Sequence, residues 1–409
     1  MASNAIPMNR ALPYTGIRML EFSHMVMGPT CGLVLGDLGA EVIKIEPPEG
    51  DQTRRLLGSG AGFYPLFNRN KKSIALDLKT DAGREAVMRL IATADVISEN
   101  FKAGTMETLG LGEAELRRRY PRLIYVSHKG FLPGPYADRT ALDEVVQMMG
   151  GLAYMTGRPG DPLRAGSSVN DIMGGLFGAI GVMSALAERE KTGVGKAVQS
   201  SLFENNIFLV AQHMMQYLVT GKPADPMPAR ISAWGIYDIF PTQDGDQIFL
   251  GVVSDTQWEI FCKTFRLDDL WTDTRLATNN GRVTSRDWLI PHLRERLGVF
   301  SAAELAHRFE QAGLPFAPIT APHELLEDPH LIASGGLVPM RLPDGERAGQ
   351  LVPTALLPLM LNSERLPVRM DPPTLGQHNQ ELLQEIGYSA SEIQQLSSPT
   401  AGPGQKQGH

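Results

Sequence analysis

Cysteine is nearly absent: Cys31 and Cys262 are the only two in 409 residues. Neither belongs to a Cys-x-x-Cys pair, which removes zinc-ribbon and dithiol redox motifs. Two distant cysteines cannot staple a chain of this length, so free thiols in a reducing compartment are expected. A long hydrophobic run is also missing. Ile172 to Ala187 comes nearest, but it is bounded by Asp171 and Glu188 and is too short to span a bilayer. A buried helix is expected there. Met1 to Pro13 shows no charged segment followed by an apolar stretch, so no signal peptide is expected and the cytoplasm follows by default. Basic excess is absent too. The net charge of −7 argues against a nucleic-acid partner, which needs a basic face. It leaves room for a local positive pocket and an anionic ligand. The nine histidines are scattered, and no metal site is expected.

What is present is an ordinary globular composition, 43% hydrophobic and 20% charged. The length suits two or three domain-sized units, or one large domain with another inserted. Over the first 130 residues short apolar runs alternate with amphipathic segments. Strands are predicted at Ile17 to Phe22, Glu41 to Ile45, Ser73 to Leu78, Asp95 to Ser98 and Leu123 to Ser127. Helices are predicted at Gly28 to Leu38, Asp81 to Ala92 and Glu113 to Arg119. This order implies a mostly parallel sheet covered by helices. From Leu142 the chain turns helical, with helices expected at Leu142 to Gly150, Ile172 to Glu190 and Leu202 to Val219. Past the proline-rich Pro223 to Pro228 the texture changes to a hairpin around Gln243 to Asp246 and three helices. The expected organisation is 14–224 as the first part of a large domain, 225–325 as a smaller α+β domain, 326–397 as a return to the large domain, and 398–409 as a disordered tail.

A parallel α/β start invites a search for phosphate loops. Ser23 to Pro29 follows the first strand and is not G-x-G-x-x-G. Gly195-Lys196 fails as a P-loop, because its first glycine falls on Glu190 and Ala197 replaces the Ser/Thr. Neither H-E-x-x-H nor G-x-S-x-G occurs. The segment that carries a signal is Leu163 to Glu190. Asp171 stands at the mouth of an apolar helix bearing Gly174, Gly175, Gly178 and Gly181 largely on one face. Such a stripe lets a backbone or a ligand approach closely. Asp171 suits an N-cap. It equally suits a nucleophile, since a carboxylate can attack a thioester with its good leaving group.

Several blocks occur in order. They are Gly16-Ile17-Arg18-Met19-Leu20-Glu21-Phe22-Ser23-His24 through Gly28-Pro29, Leu38 to Pro47, Asn70 to Lys79, Ala94 to Phe101 and Lys191 to Gly195. Together they resemble the family III CoA-transferases, a group that includes formyl-CoA and carnitine CoA-transferases and α-methylacyl-CoA racemase. The likeness covers residues 14–205 and resumes at Ala312-Gly313-Leu314-Pro315 and Leu375-Gly376-Gln377-His378.

The resemblance implies a Rossmann-like large domain built from both chain ends, a smaller central domain, and a homodimer of interlocked rings. It implies CoA exchange through an aspartyl anhydride and an aspartyl-CoA thioester, with Asp171 as nucleophile and with no metal or permanently bound cofactor. CoA contacts carry over onto Leu76, Lys79, Asn100, Phe101, Lys129 and Gly130, the lysines for phosphates and Phe101 for the adenine face. Without the likeness each lysine reads as a surface charge. Two arginines of formyl-CoA transferase fall on Pro47 and Thr108, its glutamine–alanine pair falls on Val26-Met27, and its glycine-rich lid is missing. Phosphate binding is therefore expected to shift, with Arg54, Arg55 and Lys102 as candidates. The racemase branch needs a His-Asp pair where this chain has Leu142-Asp143, so one of two bases is missing and a transferase is favoured. Arg139 to Asp143 and Gly150 to Gly157 are similar to members acting on C4–C5 dicarboxylates such as succinate, mesaconate or citramalate. Arg139 or Arg164 is the expected partner of a distal carboxylate, and His24 is a further substrate-side candidate. A racemase, or a CoA-binding protein without turnover, are the alternatives.

Overall fold

The structure is a computed structural model that describes residues 11–230 and 232–397. The tail expected at 398–409 lies outside them. The described residues divide into two compact units, one reaching to Ala224 and resuming at Ile332, the other Asp225–Leu331.

The first unit is built on six parallel strands: β1 (Arg18–Phe22), β2 (Glu41–Glu46), β3 (Lys71–Ala75), β4 (Val96–Glu99), β5 (Ile124–Lys129) and β6 (Ala197–Ser201). They lie in the order β3-β2-β1-β4-β5-β6. This is the order of doubly wound nucleotide-binding sheets. Both faces are covered, so the strands read as near-continuous apolar runs. On one face Leu20, Ile43, Ile74 and Ile97 pack on Ala86, Val87 and Leu90 of helix Asp81–Ile91, joined by Leu382 and Leu383 from the far end of the chain. On the other, Met19, Val42, Val96 and Ile124 meet Val34 and Leu35 of α1 (Met27–Asp37) and Val182 and Leu186 of helix Val169–Thr192.

The chain returns to this unit after Ile332. Asn379 Oδ1 accepts from Ala75 N–H at 2.8 Å, and the N–H of His378 donates to the Ser73 carbonyl at 3.0 Å. Lys72 and Arg18 add ion pairs to Glu381 and Glu385, each at 2.6 Å. Residues 378–385 thus join the sheet beside β3, with Glu385 reaching Arg18 of β1.

Helix Val169–Thr192 runs 24 residues, longer than the sequence reading, and is long and apolar enough by composition to cross a membrane. Its glycine face is filled by the protein itself. A Cβ at Gly174 would meet Met27 Cε at 2.3 Å, and one at Gly178 would meet His128 Cε1 at 2.5 Å. At Gly175 the obstacle is partly backbone: Thr30 Cβ at 2.4 Å and the Met27 carbonyl oxygen at 2.5 Å.

Sequence reasoning missed β6, whose Ala-Val-Gln-Ser-Ser has no apolar run. It also missed Leu351–Ala355, the antiparallel partner of Leu337–Arg341, and the helix Asn379–Glu385. The second unit holds the expected hairpin, Ile236–Pro241 with Gln247–Val252, and Phe316–Pro318 pairs antiparallel on its second strand. Trp258, Phe261, Leu289 and Phe309 fill its core. Cys31 and Cys262 are both free and buried.

Because a backbone oxygen blocks the space at Gly175, Gly175→Ala is expected to lower stability by ~1–3 kcal/mol, the usual range for overpacking. Urea unfolding of the purified protein measures this. An unchanged midpoint would mean that α1 and the long helix are not in such close contact.

Candidate active site

The strand order reverses between β1 and β4, and ligands of open parallel sheets bind beyond the carboxyl ends of the strands at that reversal. There the loop after β1 carries His24 and the loop after β4 carries Asn100 and Phe101. The Asn100 amide joins the two loops. Its Oδ1 accepts from His24 N–H at 3.0 Å, and its Nδ2 donates to the His24 carbonyl at 2.8 Å. The His24 ring stacks on Phe101, centroids 5.8 Å apart and 25° between planes. Burial holds the His24 imidazole below its usual pKa; Asp51 opposes the shift and Lys44 adds to it. Lys129, at the end of β5, pairs with Glu99 at 2.7 Å and donates to the Phe101 carbonyl at 3.0 Å. Glu99 in turn accepts from Phe101 N–H at 2.9 Å. Asn100, Lys129 and Glu99 therefore fix the backbone that presents Phe101.

Beside this crevice opens a cleft of about 530 Å³ whose walls include Phe22, Ile45, Leu76, Lys79 and Phe101. Asn100, Lys129 and Gly130 do not line it. Gly130 is set by packing: a Cβ there would lie 2.4 Å from Ala141 Cβ, and its carbonyl accepts from Phe203 N–H at 3.0 Å. Pro47 and Thr108 do belong to the cleft wall. Arg54 is already engaged and does not serve as a replacement cation. Its side chain is only 4% exposed; it pairs with Glu46 at 2.7 Å and Asp344 at 2.5 Å, and bonds the Tyr64 hydroxyl. Arg55 and Lys102 are exposed. Arg55 donates to the carbonyl of Glu49, a cleft residue, at 2.7 Å.

Asp171 is the third residue of helix Val169–Thr192. It lies three, four and seven positions before Gly174, Gly175 and Gly178, on the face pressed against α1. The adjacent Ile172 packs on the cluster formed by Val26 of the loop after β1, Leu33 and Phe67. Asp171 thus sits at the end of the unit where the crevice opens. It is not the cap of its helix. Ser168 occupies the cap position without a side-chain bond. The free N–H groups of Asn170 and Asp171 instead donate to Asp143 Oδ2, at 2.8 and 2.9 Å. Helix ends leave such groups open, and a carboxylate from another element meets them here. Gln147 holds the other Asp143 oxygen and accepts from Ala165 N–H at 2.8 Å. Among the described residues nothing hydrogen-bonds the Asp171 carboxylate itself. Burial pushes it up from 3.8 to about 7, and the negative charges of Asp143 and Glu144 add to the rise.

The two arginines differ. Arg164 pairs with Glu144 at 2.5 Å, both about half exposed. Arg139 is exposed, and its guanidinium lies 4.1 Å from the Tyr136 ring centroid. Tyr136 stands edge-on to Phe131 and Phe203, at 5.7 and 6.2 Å. Sequence reasoning did not single out Asp143, Gln147 or Glu99 for the site. Asp143 was visible only as what remains of a His-Asp pair.

The arrangement can do two things. A largely apolar cleft with an aromatic face can take a long ligand, whose anionic groups would meet Lys79 and not the wall carboxylates Glu46, Glu49 and Asp77. An unbonded, partly desolvated carboxylate can act as nucleophile or base. Comparison with known proteins identifies the chemistry. The sequence profile of CoA-transferase family III matches residues 14–379. The succinate–glutarate CoA-transferase of Agrobacterium fabrum is 33% identical over 391 residues, covering 92% of this chain and 96% of the relative. The succinyl-CoA–D-citramalate CoA-transferase of Chloroflexus aurantiacus is 32% identical, covering 94% and 97%. The crystal structure of a CAIB/BAIF family protein from Brucella suis superposes with a TM-score of 0.82 at 33% identity, covering 92% of this chain and all of that one. The chain belongs to CoA-transferase family III and is a CoA-transferase.

Proposed function

We propose that the enzyme moves CoA from an acyl-CoA donor to a C4–C5 dicarboxylate acceptor, with Asp171 as the covalent carrier. The observation that carries this reading is the Asp171 carboxylate, free of hydrogen bonds and raised to about 7. Desolvation raises both its basicity and its readiness to attack a carbonyl. The carboxylate attacks the donor thioester, forming an acyl-aspartyl anhydride and expelling CoA thiolate. The thiolate attacks the aspartyl carbonyl, giving an aspartyl-CoA thioester and releasing the donor acid. The acceptor carboxylate attacks that thioester and frees the thiolate again. The thiolate then takes the acceptor acyl group and returns Asp171 as a carboxylate. Every step exchanges one carboxylate or thiolate for another, so no proton or electron is consumed.

CoA is assigned to the cleft, with the adenine on Phe101, the pantetheine along Leu76 and phosphates near Lys79, Arg55 and Lys102. Lys129 and Asn100 hold Phe101 and His24 in place. Relatives named for succinate, glutarate, D-citramalate and mesaconate support the dicarboxylate choice. Arg139 is the better partner for a distal carboxylate, because Arg164 is already paired with Glu144. A racemase is disfavoured by Leu142, which supplies no second base. The working assembly is a cytoplasmic homodimer with interlocked subunits, residues 225–331 forming the inserted domain. Its support is the group of large apolar side chains that helices Val169–Thr192 and Leu202–Thr220 leave exposed, Phe177, Ile180, Phe208, Leu218 and Val219 among them.

Incubation with succinyl-CoA followed by hydroxylamine is expected to convert Asp171 to the hydroxamate, seen by peptide mass spectrometry. Asp171→Ala should lose this product and at least ~10³-fold in kcat; an active Asp171→Ala enzyme would overturn the reading. In the wild type, CoA release in a single turnover should rise with pH through about 7, where the carboxyl ionises.

The same group affects stability. Its folded pKa of about 7 exceeds the ordinary 3.8, so between those values the folded state holds the extra proton. Stability contributed by the neutral form is present at low pH and is lost as pH rises toward 7. Asp171→Asn should therefore raise the Tm at pH 8 and leave it nearly unchanged at pH 4, as scanning calorimetry would register. Equal effects at both values would contradict the burial of the charge.

For the acceptor, Arg139→Ala should raise the dicarboxylate KM by ~10–100-fold, the worth of a charge-assisted bond. Arg164→Ala should raise it less. If neither KM changes, a distal-carboxylate arginine is not at these positions.

A further inference from the structure

We propose that Asp143 is the positioning residue of the reaction, holding the helix N-terminus that presents Asp171 and setting the charge that the Asp171 carboxylate faces. The proposal rests on Asp171 being the nucleophile. Its geometry is independent of that role. Asp143 is buried, at 5% exposure, on the helix Asp143–Met149. Its Oδ2 accepts the N–H of Asn170 at 2.8 Å and of Asp171 at 2.9 Å. The bond to Asp171's own N–H ties the backbone of the nucleophile to a second element. Gln147, one turn on, bonds Asp143 Oδ1 and anchors the Ala165 N–H just ahead of the long helix. Asn170 is fastened on its other side, Nδ2 to Asn206 Oδ1 at 3.1 Å. Three segments thus converge on the first turn: Asp143 accepts from Asn170 N–H, Asp171 N–H and Gln147, Gln147 accepts from Ala165 N–H, and Asn206 accepts from Asn170.

An ordinary N-cap comes from the residue before the helix. This one comes from 28 residues upstream and brings a full negative charge near a carboxylate that must become a nucleophile. Like charges at short range disfavour the ionised form. Asp143 acts in this sense on Asp171, as does Glu144, which is exposed and partly offset by Arg164. The other elements packed on the long helix contribute different groups. These are Cys31 and Asp37 of α1, the latter paired with Arg69 at 2.7 Å, Tyr125, His128 and Lys129 of β5, and Glu204, His213 and Tyr217 of helix Leu202–Thr220. His128 is held near 3 by burial, next by Lys129, and is neutral at working pH. Cys31 is pushed up by burial and is also neutral. Glu204 is engaged with Ser201 and Leu132 N–H.

The test uses Asp143→Asn and Asp143→Ala in the full chain. Asparagine keeps an oxygen for the two N–H groups but removes the charge, at the loss of one Gln147 bond. Single-turnover CoA release from succinyl-CoA is followed against pH, with the Asp171 adduct measured in the same samples. Asp143→Asn is expected to move the rise in rate to lower pH by about one unit, the effect of removing a neighbouring like charge. Asp143→Ala is expected to move it likewise and to lower the high-pH rate by a further ~10-fold, because the first turn loses its anchor. The KM for succinyl-CoA should stay within ~2-fold in both, since Asp143 is not a residue of the cleft wall. A rise that stays near the wild-type pH in Asp143→Asn would overturn the proposal, while an Asp171 adduct in those samples would leave the nucleophile reading standing. No Asp171 adduct in the wild type would overturn both. If Asp143→Ala does not fold, the asparagine variant alone decides.

Discussion

A methyl group on Gly175 would stand 2.5 Å from the carbonyl oxygen of Met27. The absence of that methyl lets the long helix lie against the first turn of α1, and much of the site depends on this contact. With larger residues at 174, 175 and 178 the helix would ride outward from α1, taking Asp171 with it. The close approach also shapes the helix end. Packed so tightly, its first turn cannot rely on bulk water for every N–H, and Asp143 accepts two of them. The acceptor that satisfies the helix also faces the carboxylate that the helix presents.

A second constraint runs through the sheet. Glu21, Lys44 and Lys71 are fully buried on adjacent strands. Lys44 pairs with Asp51 at 3.0 Å and donates to the Ser23 carbonyl at 2.6 Å, while Lys71 pairs with Glu21 at 2.7 Å and donates to the Pro29 carbonyl at 2.9 Å. Both backbone acceptors flank the loop after β1. Burying such charges is expensive, and burial already lowers Lys71 to about 8. Their geometric result is a loop gripped at both ends, with Met25 between them in the left-handed region at φ 62°. A loop so held can keep His24 against Phe101 without a ligand to organise it.

Much of the fold could be read from residue order. Apolar runs of four to six residues alternating with amphipathic helices admit few arrangements other than a covered parallel sheet. What could not be read depends on contacts distant in sequence. β6 is polar because it lies at the edge of the sheet and gains its place from β5. The helix Asn379–Glu385 is short, and its docking uses Asn379 and Glu381, polar residues that mark no periodicity. In the site, Asp171 stood out as a carboxylate before a glycine stripe. Its cap did not, because the cap lies 28 residues away and spacing rules see only neighbours. Arg54 looked like a free cation in the sequence, whereas in the fold it is enclosed by Glu46, Asp344 and Tyr64.

Under the proposed function, the protein's contribution to the chemistry centres on one carboxylate. Thioester and anhydride exchange needs a nucleophile that leaves as readily as it attacks, and a partly desolvated aspartate near neutrality meets both demands. In the proposed mechanism the oxygen atoms of Asp171 take part in each turnover. This is tested most directly with an acceptor dicarboxylate labelled with ¹⁸O in its carboxylates, turned over once with succinyl-CoA in unlabelled water. One ¹⁸O is expected in the Asp171 peptide after digestion and mass spectrometry, because the acceptor leaves one carboxylate oxygen behind when CoA departs with its acyl group. Complete turnover with no label on Asp171 would contradict it.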